Sequence, residues 1–125
     1  MTDAETEGIE IDKLFASIDA MDTESFLGFI AADATFRFGS SPPVKGREEI
    51  GASVNGFFSM FAALKHELQR VVADGNAVVC EGDVTYTRHD GSSITLPFAN
   101  VFEVDNGLIS LYRIYIDIAP VFAEN

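Results

Sequence analysis

The stretch LPFANVFEVDNGLISLYRIYIDIAP, residues 96–120, decides the fold of this chain. Apolar and polar residues alternate on both sides of Asp105-Asn106-Gly107, a tripeptide of strong turn formers. Because alternation with a period of two is the pattern of a half-buried strand, the stretch predicts two antiparallel β-strands joined by a tight turn. The expected strands are residues 93–104 and 108–118.

Two further strands with the same period precede this hairpin. They are expected at residues 65–73 and 77–88, around a turn at Asp74-Gly75-Asn76, and a second turn at residues 89–92 leads into the hairpin. The last half of the chain, residues 64–119, therefore predicts a four-stranded antiparallel meander. A meander of this length can curl into a half-barrel that encloses an apolar pocket.

The first half of the chain is predicted to be mainly helical. Apolar residues recur with helical spacing in residues 9–21, a shorter helix is expected at residues 24–32 after an N-cap region at Asp22, and Gly46 opens a third helix with an aromatic face. Residues 35–38 alternate as a strand would. The order ααβαββββ predicts an α+β fold: a cone-shaped α+β barrel in which three N-terminal helices pack on a strongly bent, mainly antiparallel sheet.

Length and composition predict one domain. The chain has 125 residues, of which 47% are apolar, and its 11 phenylalanines are enough to build a substantial core. We expect residues 9–125 to form this single domain and the acidic residues 1–8 to be disordered or loosely ordered.

Charge and cysteine content exclude several classes of partner. The net charge of −12 disfavours nucleic acids and anionic membrane surfaces, and no apolar run reaches the roughly 18 to 20 residues of a membrane span.

The acidic N-terminus is unlike a secretory signal and the single Cys80 forms no internal disulfide, so we expect a cytoplasmic protein. His66, His89 and Cys80 lack the spacing of metal ligands, and no cofactor motif is present, so neither a metal nor a cofactor is expected.

Three polar residues are predicted to share the concave face of the sheet. If the first two turns contain two residues each, cross-strand pairing places His66, Asp83 and Asn100 on one face, with Asp83 opposite Leu68 and beside Phe98. A histidine and a carboxylate in an apolar cavity form an acid/base pair, and an amide can stabilise an oxyanion. We therefore expect His66, Asp83 and Asn100 to be the catalytic residues.

Structural roles remain open for the same residues. Asp83 can serve as an ion-pair partner of Arg70 or His66, and a pair of Glu81 with Arg70 is more typical of structure than of catalysis. Asn100 can cap a bulge in the sheet.

The ligand is expected to contact a mainly apolar wall. The residues expected to bind it are Phe15, Phe38, Phe57, Phe61, Leu68, Glu81, Leu96, Phe98, Tyr112 and Ile114.

The register of the last strand decides which of its side chains belong to this wall. A three-residue loop at residues 105–107 points one set inward: Tyr112, Ile114 and Ile116. A two-residue turn points the opposite set inward: Arg113, Tyr115 and Asp117. We favour the three-residue loop because it sends the aliphatic residues to the core.

Residues 29–36 (FIAADATF), 41–50 (SPPVKGREEI) and 96–117 resemble the nuclear transport factor 2-like superfamily. Within it, they are similar to the SnoaL-like group that includes ketosteroid isomerases and limonene epoxide hydrolases, over nearly the whole chain. The resemblance implies a site inside the cone and homodimers formed through the outer sheet face, where Arg113 and Tyr115 are expected. It implies no single activity, because the superfamily includes isomerases, hydrolases, cyclases, ligand binders and accessory domains.

The resemblance to the isomerases does not extend to their full set of catalytic residues. It places the catalytic base at or near Phe38 and a helix tyrosine at Leu14 or Phe15, and none of these side chains can do that chemistry. The second oxyanion donor falls near Asn100, whose amide can still donate a hydrogen bond.

The resemblance to the epoxide hydrolases is also incomplete. Their Asp-Arg-Asp set falls on Asp83, Glu81 and Ile114, so one acid is present but the arginine and the second acid are not. A water held and activated by that set is therefore not expected.

The function expected from these observations is acid/base chemistry on a small hydrophobic carbonyl or polyketide-like substrate, carried out by a cofactor-free isomerase, cyclase or hydratase. Two alternatives remain open. One is a protein that binds a hydrophobic ligand without turnover, and the other is a dimeric interaction module whose cone is filled by phenylalanines.

Overall fold

A curled, unclosed sheet forms one wall of the molecule, and helices cover its concave face. The computed structural model describes residues 5–6 and 9–122. The strands are β1 (Glu5–Thr6), β2 (Ile9–Glu10), β3 (Ile30–Phe38), β4 (Val44–Lys45), β5 (Ala63–Asp74), β6 (Ala77–Thr87), β7 (Ser93–Asp105) and β8 (Leu108–Tyr115). The helices are α1 (Ile11–Asp19), α2 (Thr23–Leu27), α3 (Arg47–Phe58) and α4 (Ala119–Phe122).

The main sheet has six strands in the order β4-β3-β8-β7-β6-β5. Strands β5 to β8 form the antiparallel meander predicted from the sequence, and β3 adds to it in parallel beside β8. The predicted α+β fold is therefore confirmed. The short pair of β1 and β2 lies outside this sheet. Most of residues 1–8, for which the sequence predicts disorder, fall outside the described residues.

The largest difference from the predicted elements lies between α2 and β3. Asp22 caps α2 as expected, because its carboxylate accepts from the backbone N–H of Ser25 at 3.2 Å. The helix nevertheless ends at Leu27, and β3 begins at Ile30 rather than at residue 35. The N–H of Ile109 in β8 donates to the carbonyl of Phe29 at 2.8 Å, so pairing with β8 outweighs the helical preference of the alanines that follow.

The turn between β7 and β8 was predicted wrongly, yet the inward face of β8 was predicted correctly. The turn contains two residues, Asn106 and Gly107, with φ angles of 54° and 77°, which is the backbone of a hairpin turn with positive φ at both positions. A β-bulge at Ser110 then inserts one residue into β8. Because the bulge reverses the alternation, Tyr112 and Ile114 face inward despite the shorter turn.

A second β-bulge, at Gln69 in β5, changes the predicted pairing with β6. Arg70 lies opposite Glu81 as expected, but beyond the bulge Leu68 pairs with Gly82 instead of Asp83. One additional residue in β5 reverses the alternation of that strand, so Leu68 shares a face with Gly82 and Asp83 points to the other face.

The pairing of β6 with β7 also differs by one residue from the prediction. The two strands are joined by residues 88–92 rather than by a two-residue turn. As a result Gly82 pairs with Phe98 and Cys80 pairs with Asn100. The predicted place of Asp83 beside Phe98 is therefore wrong.

The core lies between the concave face of the sheet and the helices. The predicted apolar face of α1 is confirmed, since its four core side chains are at most 8% exposed: Ile11, Leu14, Phe15 and Ile18. From the sheet, Phe102 and Tyr112 are buried with their ring centroids 4.5 Å apart. Burial of this apolar surface supplies most of the free energy that favours folding.

Replacing Gly82 with alanine should destabilise the fold. A Cβ at this position would lie 2.0 Å from the carbonyl oxygen of Glu67, so β5 and β6 would have to separate at the bulge. We expect the free energy of unfolding, measured by urea titration, to fall by about 1–3 kcal/mol.

The matched control is Gly56→Ala in α3, where nothing lies within 4 Å of the added Cβ. Alanine in a helix interior is favoured over glycine by about 0.5–1 kcal/mol, so this variant should be more stable than the parent. Equal effects of the two substitutions would contradict the close approach at Gly82.

Candidate functional site

A cavity of about 260 Å³ lies between the concave face of the sheet and the helices. All three N-terminal helices contribute to it, through Ile18 of α1, Phe26 of α2 and Val54 of α3. The loop after β3 adds Ser41 and Pro42. The aromatic residues of α3 therefore leave a space in the cone and do not fill it.

Paired aromatic rings form much of the cavity wall. The ring centroids of Phe38 and Phe57 are 5.0 Å apart, and Phe57 stands edge-on to Tyr86 at 5.9 Å. Next to Phe38 on β3, Phe36 has its ring centroid 5.1 Å from that of Tyr112. Spacings of this kind are typical of stabilising aromatic pairs, so the wall is rigid and mainly apolar.

One histidine and one aspartate form a pair at the edge of this wall. The carboxylate of Asp19, the last residue of α1, accepts hydrogen bonds from the backbone N–H of His66 at 3.0 and 3.1 Å. Nδ1 of the His66 ring lies 2.6 Å from Oδ1 of the same carboxylate. The His66 side chain is 12% exposed and that of Asp19 is 24% exposed, so the pair connects the cavity with the surface.

The orientation of His66 is held from several sides. Its ring packs against both Phe15 and Phe98, each with its centroid 5.1 Å away. Because Asp19 occupies Nδ1, the other ring nitrogen, Nε2, is the one available to the cavity that His66 lines. An imidazole fixed by a carboxylate in this way is suited to accept a proton at Nε2.

Asn100 is the buried polar group of the cavity. Its side chain lines the cavity, it is 2% exposed, and its Oδ1 has no hydrogen-bond partner among the described residues. Its cross-strand neighbours, Cys80 and Ile114, offer no strong donor. A buried acceptor without a partner is costly, which makes it a strong indicator of a site that binds something.

The other titratable groups around the cavity remain neutral. Burial raises the pKa of Tyr86 and of Tyr112 above that of free tyrosine, so both hydroxyls remain protonated at ordinary pH. Burial also raises the pKa of the Cys80 thiol to about 12. Since the thiolate is the reactive form, Cys80 is a buried core residue and not a nucleophile.

The structure brings together only part of the predicted site. His66 and Asn100 line the cavity together with five of the predicted ligand-binding residues: Phe38, Phe57, Phe98, Tyr112 and Ile114. Four others pack in the surrounding core: Phe15, Phe61, Leu68 and Leu96. Glu81 and Asp83 lie outside the cavity.

Asp83 lies on the convex face of the sheet, so its predicted place beside His66 and Asn100 is wrong. It accepts a hydrogen bond from Nε2 of Gln69 at 2.8 Å and lines a shallow depression of the outer surface with Tyr115. The bulge at Gln69 and the loop at residues 88–92 cause this displacement, because each shifts the pairing of β6 by one residue.

Glu81 also faces outward, where it is far from any ligand in the cavity. Its carboxylate lies 3.5 Å from Nε of Arg70, and both side chains are more than half exposed. This is the structural pair that the sequence left open as an alternative. A pair with this exposure contributes little to stability.

Asp19, the partner of His66, was not among the predicted site residues. It stands 47 positions before His66 in the chain, and only the packing of α1 against β5 brings the two together. One signal was present: Asp19 follows Phe15 by four residues and so continues the apolar face of α1. A carboxylate on an apolar helix face is unusual enough to indicate a buried partner.

No cluster of three metal-binding side chains occurs within residues 5–6 and 9–122. In the part of the chain that the structure describes, no helix is long and apolar enough to cross a lipid bilayer.

Replacing Asn100 with leucine should stabilise the protein. The substitution removes a buried amide whose Oδ1 lacks a partner and supplies an apolar side chain of similar size. We expect the free energy of unfolding in urea to rise by about 1–3 kcal/mol. Ser17→Ala is the control, because Ser17 is also buried but its hydroxyl donates to the carbonyl of Leu14 at 2.6 Å. A comparable gain from Ser17→Ala, or a loss from Asn100→Leu, would contradict the assignment of Asn100 as an unsatisfied group.

Comparison with known proteins identifies relatives of the whole cone. The family model described as a SnoaL-like domain matches residues 11–112, from the start of α1 into β8. No curated protein matches the sequence at a significant level.

Several solved structures share the fold over most of their length. A nuclear transport factor 2-like protein of unknown function from Burkholderia pseudomallei has a TM-score of 0.81 and 18% identity, covering 90% of this chain and 91% of its own. A putative SnoaL-like polyketide cyclase from Jannaschia has a TM-score of 0.77 and 18% identity, covering 98% and 93%. An LEH-like epoxide hydrolase from Mycobacterium tuberculosis has a TM-score of 0.78 and 21% identity, covering 94% of this chain and 88% of its own. At these identities the likeness establishes the fold alone.

Proposed function

This chain belongs to the SnoaL-like domain family, and on that premise we propose that its cavity is the active site of a cofactor-free enzyme. The reaction is acid/base chemistry of the isomerase, cyclase or hydratase type on a small hydrophobic carbonyl compound. The observation that carries the proposal is the pairing of His66 with Asp19 at the wall of an apolar cavity.

In this mechanism His66 is the base. Nε2 of its neutral ring takes a proton from the carbon next to the substrate carbonyl and later returns it to another position. Asp19 is a positioning residue: it holds the ring through Nδ1 and stabilises the imidazolium that forms. The partly exposed Asp19 also supplies a route for proton exchange with solvent.

The Asn100 amide is the group that would stabilise negative charge on the substrate oxygen. Its Nδ2 donates to the carbonyl oxygen as the enolate forms, and the surrounding apolar wall strengthens that hydrogen bond. Asp83, which the sequence suggested as the acid, has no role in this mechanism because it lies on the convex face of the sheet.

The retained cavity also distinguishes this proposal from an interaction module, for which the phenylalanines would fill the cone. A binding protein without turnover is the remaining alternative. The His66–Asp19 pair supports the enzyme, since a passive apolar binding site has no need of a carboxylate-held imidazole at its wall.

The protein should accelerate exchange of the acidic hydrogens of 2-tetralone, a small bicyclic ketone, in D₂O. His66→Gln removes the base and should lower the exchange rate, followed by NMR, by at least about 100-fold. Asp19→Asn leaves His66 in place but loses the carboxylate that orients it, and we expect a decrease of at least about tenfold.

The matched control is Asp83→Asn, an identical substitution on the outer face of the sheet, which should leave the exchange rate unchanged. Loss of exchange in the Asp83 variant would overturn the assignment of the base. Saturable binding of 2-tetralone without exchange above background would identify a binding protein instead.

We further propose that the chain forms a homodimer through the outer face of the sheet. Tyr115 is 52% exposed there, and Val72 and Val79, which pair across β5 and β6, are 49% and 37% exposed. Large exposed apolar side chains grouped on one sheet face are typical of subunit interfaces.

Val79→Lys should convert this dimer into a monomer, because it places a charge in the apolar part of the proposed interface. Sedimentation velocity would detect the change in mass. Met60→Lys is the control, since Met60 is similarly exposed at 43% but follows α3, away from the outer sheet face. A wild-type protein that sediments as a monomer at micromolar concentration would refute the proposal.

We also propose that the partner is a small neutral molecule and that the protein is cytoplasmic. The net charge of −12 supports a small neutral molecule, rather than nucleic acid or an anionic membrane, as the partner. The single, buried Cys80 supports a cytoplasmic location, where thiols stay reduced.

A further inference from the structure

The hydroxyl group of Tyr86 is a polar group of the cavity that the proposed mechanism does not use. Tyr86 lies on β6, lines the cavity and is only 3% exposed. Its hydroxyl has no hydrogen-bond partner among the described residues, and unlike Oδ1 of Asn100 it is not closed off from the space around it. Because buried tyrosine hydroxyls usually have a partner, this one indicates a contact with a ligand.

The aromatic wall fixes the position of this hydroxyl. The Tyr86 ring centroid lies 4.9 Å from that of Phe61 and 5.9 Å from that of Phe57, which stands edge-on to it. A side chain packed in this way has lost most of its rotamer freedom before any ligand arrives. A hydrogen bond to the hydroxyl therefore costs little further conformational entropy.

Tyr86 and Asn100 belong to different ends of the cavity. His66 pairs with Val84, two positions before Tyr86 on β6, so Tyr86 is a diagonal cross-strand neighbour of His66, at a spacing of roughly 7–8 Å. Asn100 pairs with Cys80, which lies farther along β6 on the other side of Val84. The hydroxyl and the amide therefore contact different parts of a ligand, with the base between them.

The group that Tyr86 binds is a neutral hydrogen-bond acceptor. Burial raises the pKa of Tyr86, so its hydroxyl keeps its proton and donates at ordinary pH. No lysine, arginine, aspartate or glutamate is among the described residues that line the cavity, and the charge of a protonated His66 is compensated by Asp19. A ligand carboxylate would be buried without a counter-ion, which leaves a carbonyl as the suitable acceptor.

The size of the cavity limits the ligand to one or two rings. Its volume is about 260 Å³, which is below the roughly 300–1,000 Å³ of most small-molecule sites. An apolar cavity of about 150 Å³ holds one benzene molecule. A larger skeleton would have to displace packed side chains such as Phe57.

We propose that Tyr86 is a specificity-determining residue, whose hydroxyl donates a hydrogen bond to a second carbonyl oxygen of the substrate. The substrate is then a neutral dicarbonyl compound of one or two rings. Its first carbonyl undergoes the acid/base chemistry, and its second lies at Tyr86. This inference rests on the proposed function for the location of the site, and it adds the chemical class of the substrate.

The test compares trans-decalin-1,5-dione with trans-1-decalone, which have the same two-ring skeleton and differ only in the second carbonyl. By isothermal titration calorimetry, we expect the wild-type protein to bind the dione at least about fivefold more tightly. Tyr86→Phe removes the hydroxyl and retains the ring, so it should abolish this preference. The matched control is Tyr115→Phe, the same substitution at a tyrosine that is 52% exposed on the outer sheet face, which should retain it.

A urea titration of Tyr86→Phe checks the state of the hydroxyl in the ligand-free protein. Because the hydroxyl has no partner among the described residues, its removal should not lower the midpoint of unfolding. A lower midpoint would show that the hydroxyl is bonded within the protein, and this would overturn the inference. Equal affinities of the wild-type protein for the two ketones, a preference that survives in Tyr86→Phe, or absence of binding by both compounds would also overturn it.

Failure of the proposed function is read separately. If the wild-type protein does not exchange the hydrogens of 2-tetralone but prefers the dione through Tyr86, the base assignment is refuted and the role of Tyr86 in binding stands. If it exchanges them but binds both ketones equally, the proposed function stands and the inference about Tyr86 is refuted.

Discussion

Side chains of a β-strand alternate between the two faces of the sheet, and one inserted residue reverses that alternation. The cavity depends on two such insertions, at Gln69 in β5 and at Ser110 in β8. The first places His66 and Leu68 on the concave face while Asp83 points outward. The second keeps Tyr112 inward after a turn that would otherwise expose it. β-Bulges also increase the local twist, which helps a sheet of six strands to curl around the helices.

The site combines a rigid apolar wall with a few polar groups that the fold does not fully satisfy. His66 is held by Asp19 and by the rings of Phe15 and Phe98, so its orientation is determined before any ligand arrives. Asn100 is held on a central strand with its Oδ1 unpaired. An unsatisfied buried group of this kind lowers the stability of the ligand-free protein, which is common at functional sites.

Much of the architecture could be predicted because local patterns specify it. Alternating residues in the last half gave four strands, and helical spacing gave α1 and α3, each close to the observed bounds. The length of α2 was predicted less well, because the alanines after Phe29 favour a helix locally, whereas Ile30 and Thr35 on either side of them pair with β8 in the folded chain. Half of the predicted ligand-binding residues line the cavity, and four of the others face the same core without reaching the cavity.

The sequence by itself determined the α+β class, the order of the main elements and the apolar character of the concave face. Periodicity is a local property, so each of these follows from neighbouring residues. Only the tertiary structure decided the partner of His66. The bulge at Gln69 reverses the alternation of β5, so His66 faces inward while Asp83 of β6 lies on the convex face. The packing of α1 against β5 places the Asp19 carboxylate beside the His66 ring. Strand register and contacts across 47 residues depend on how distant segments pack, and no local pattern encodes them.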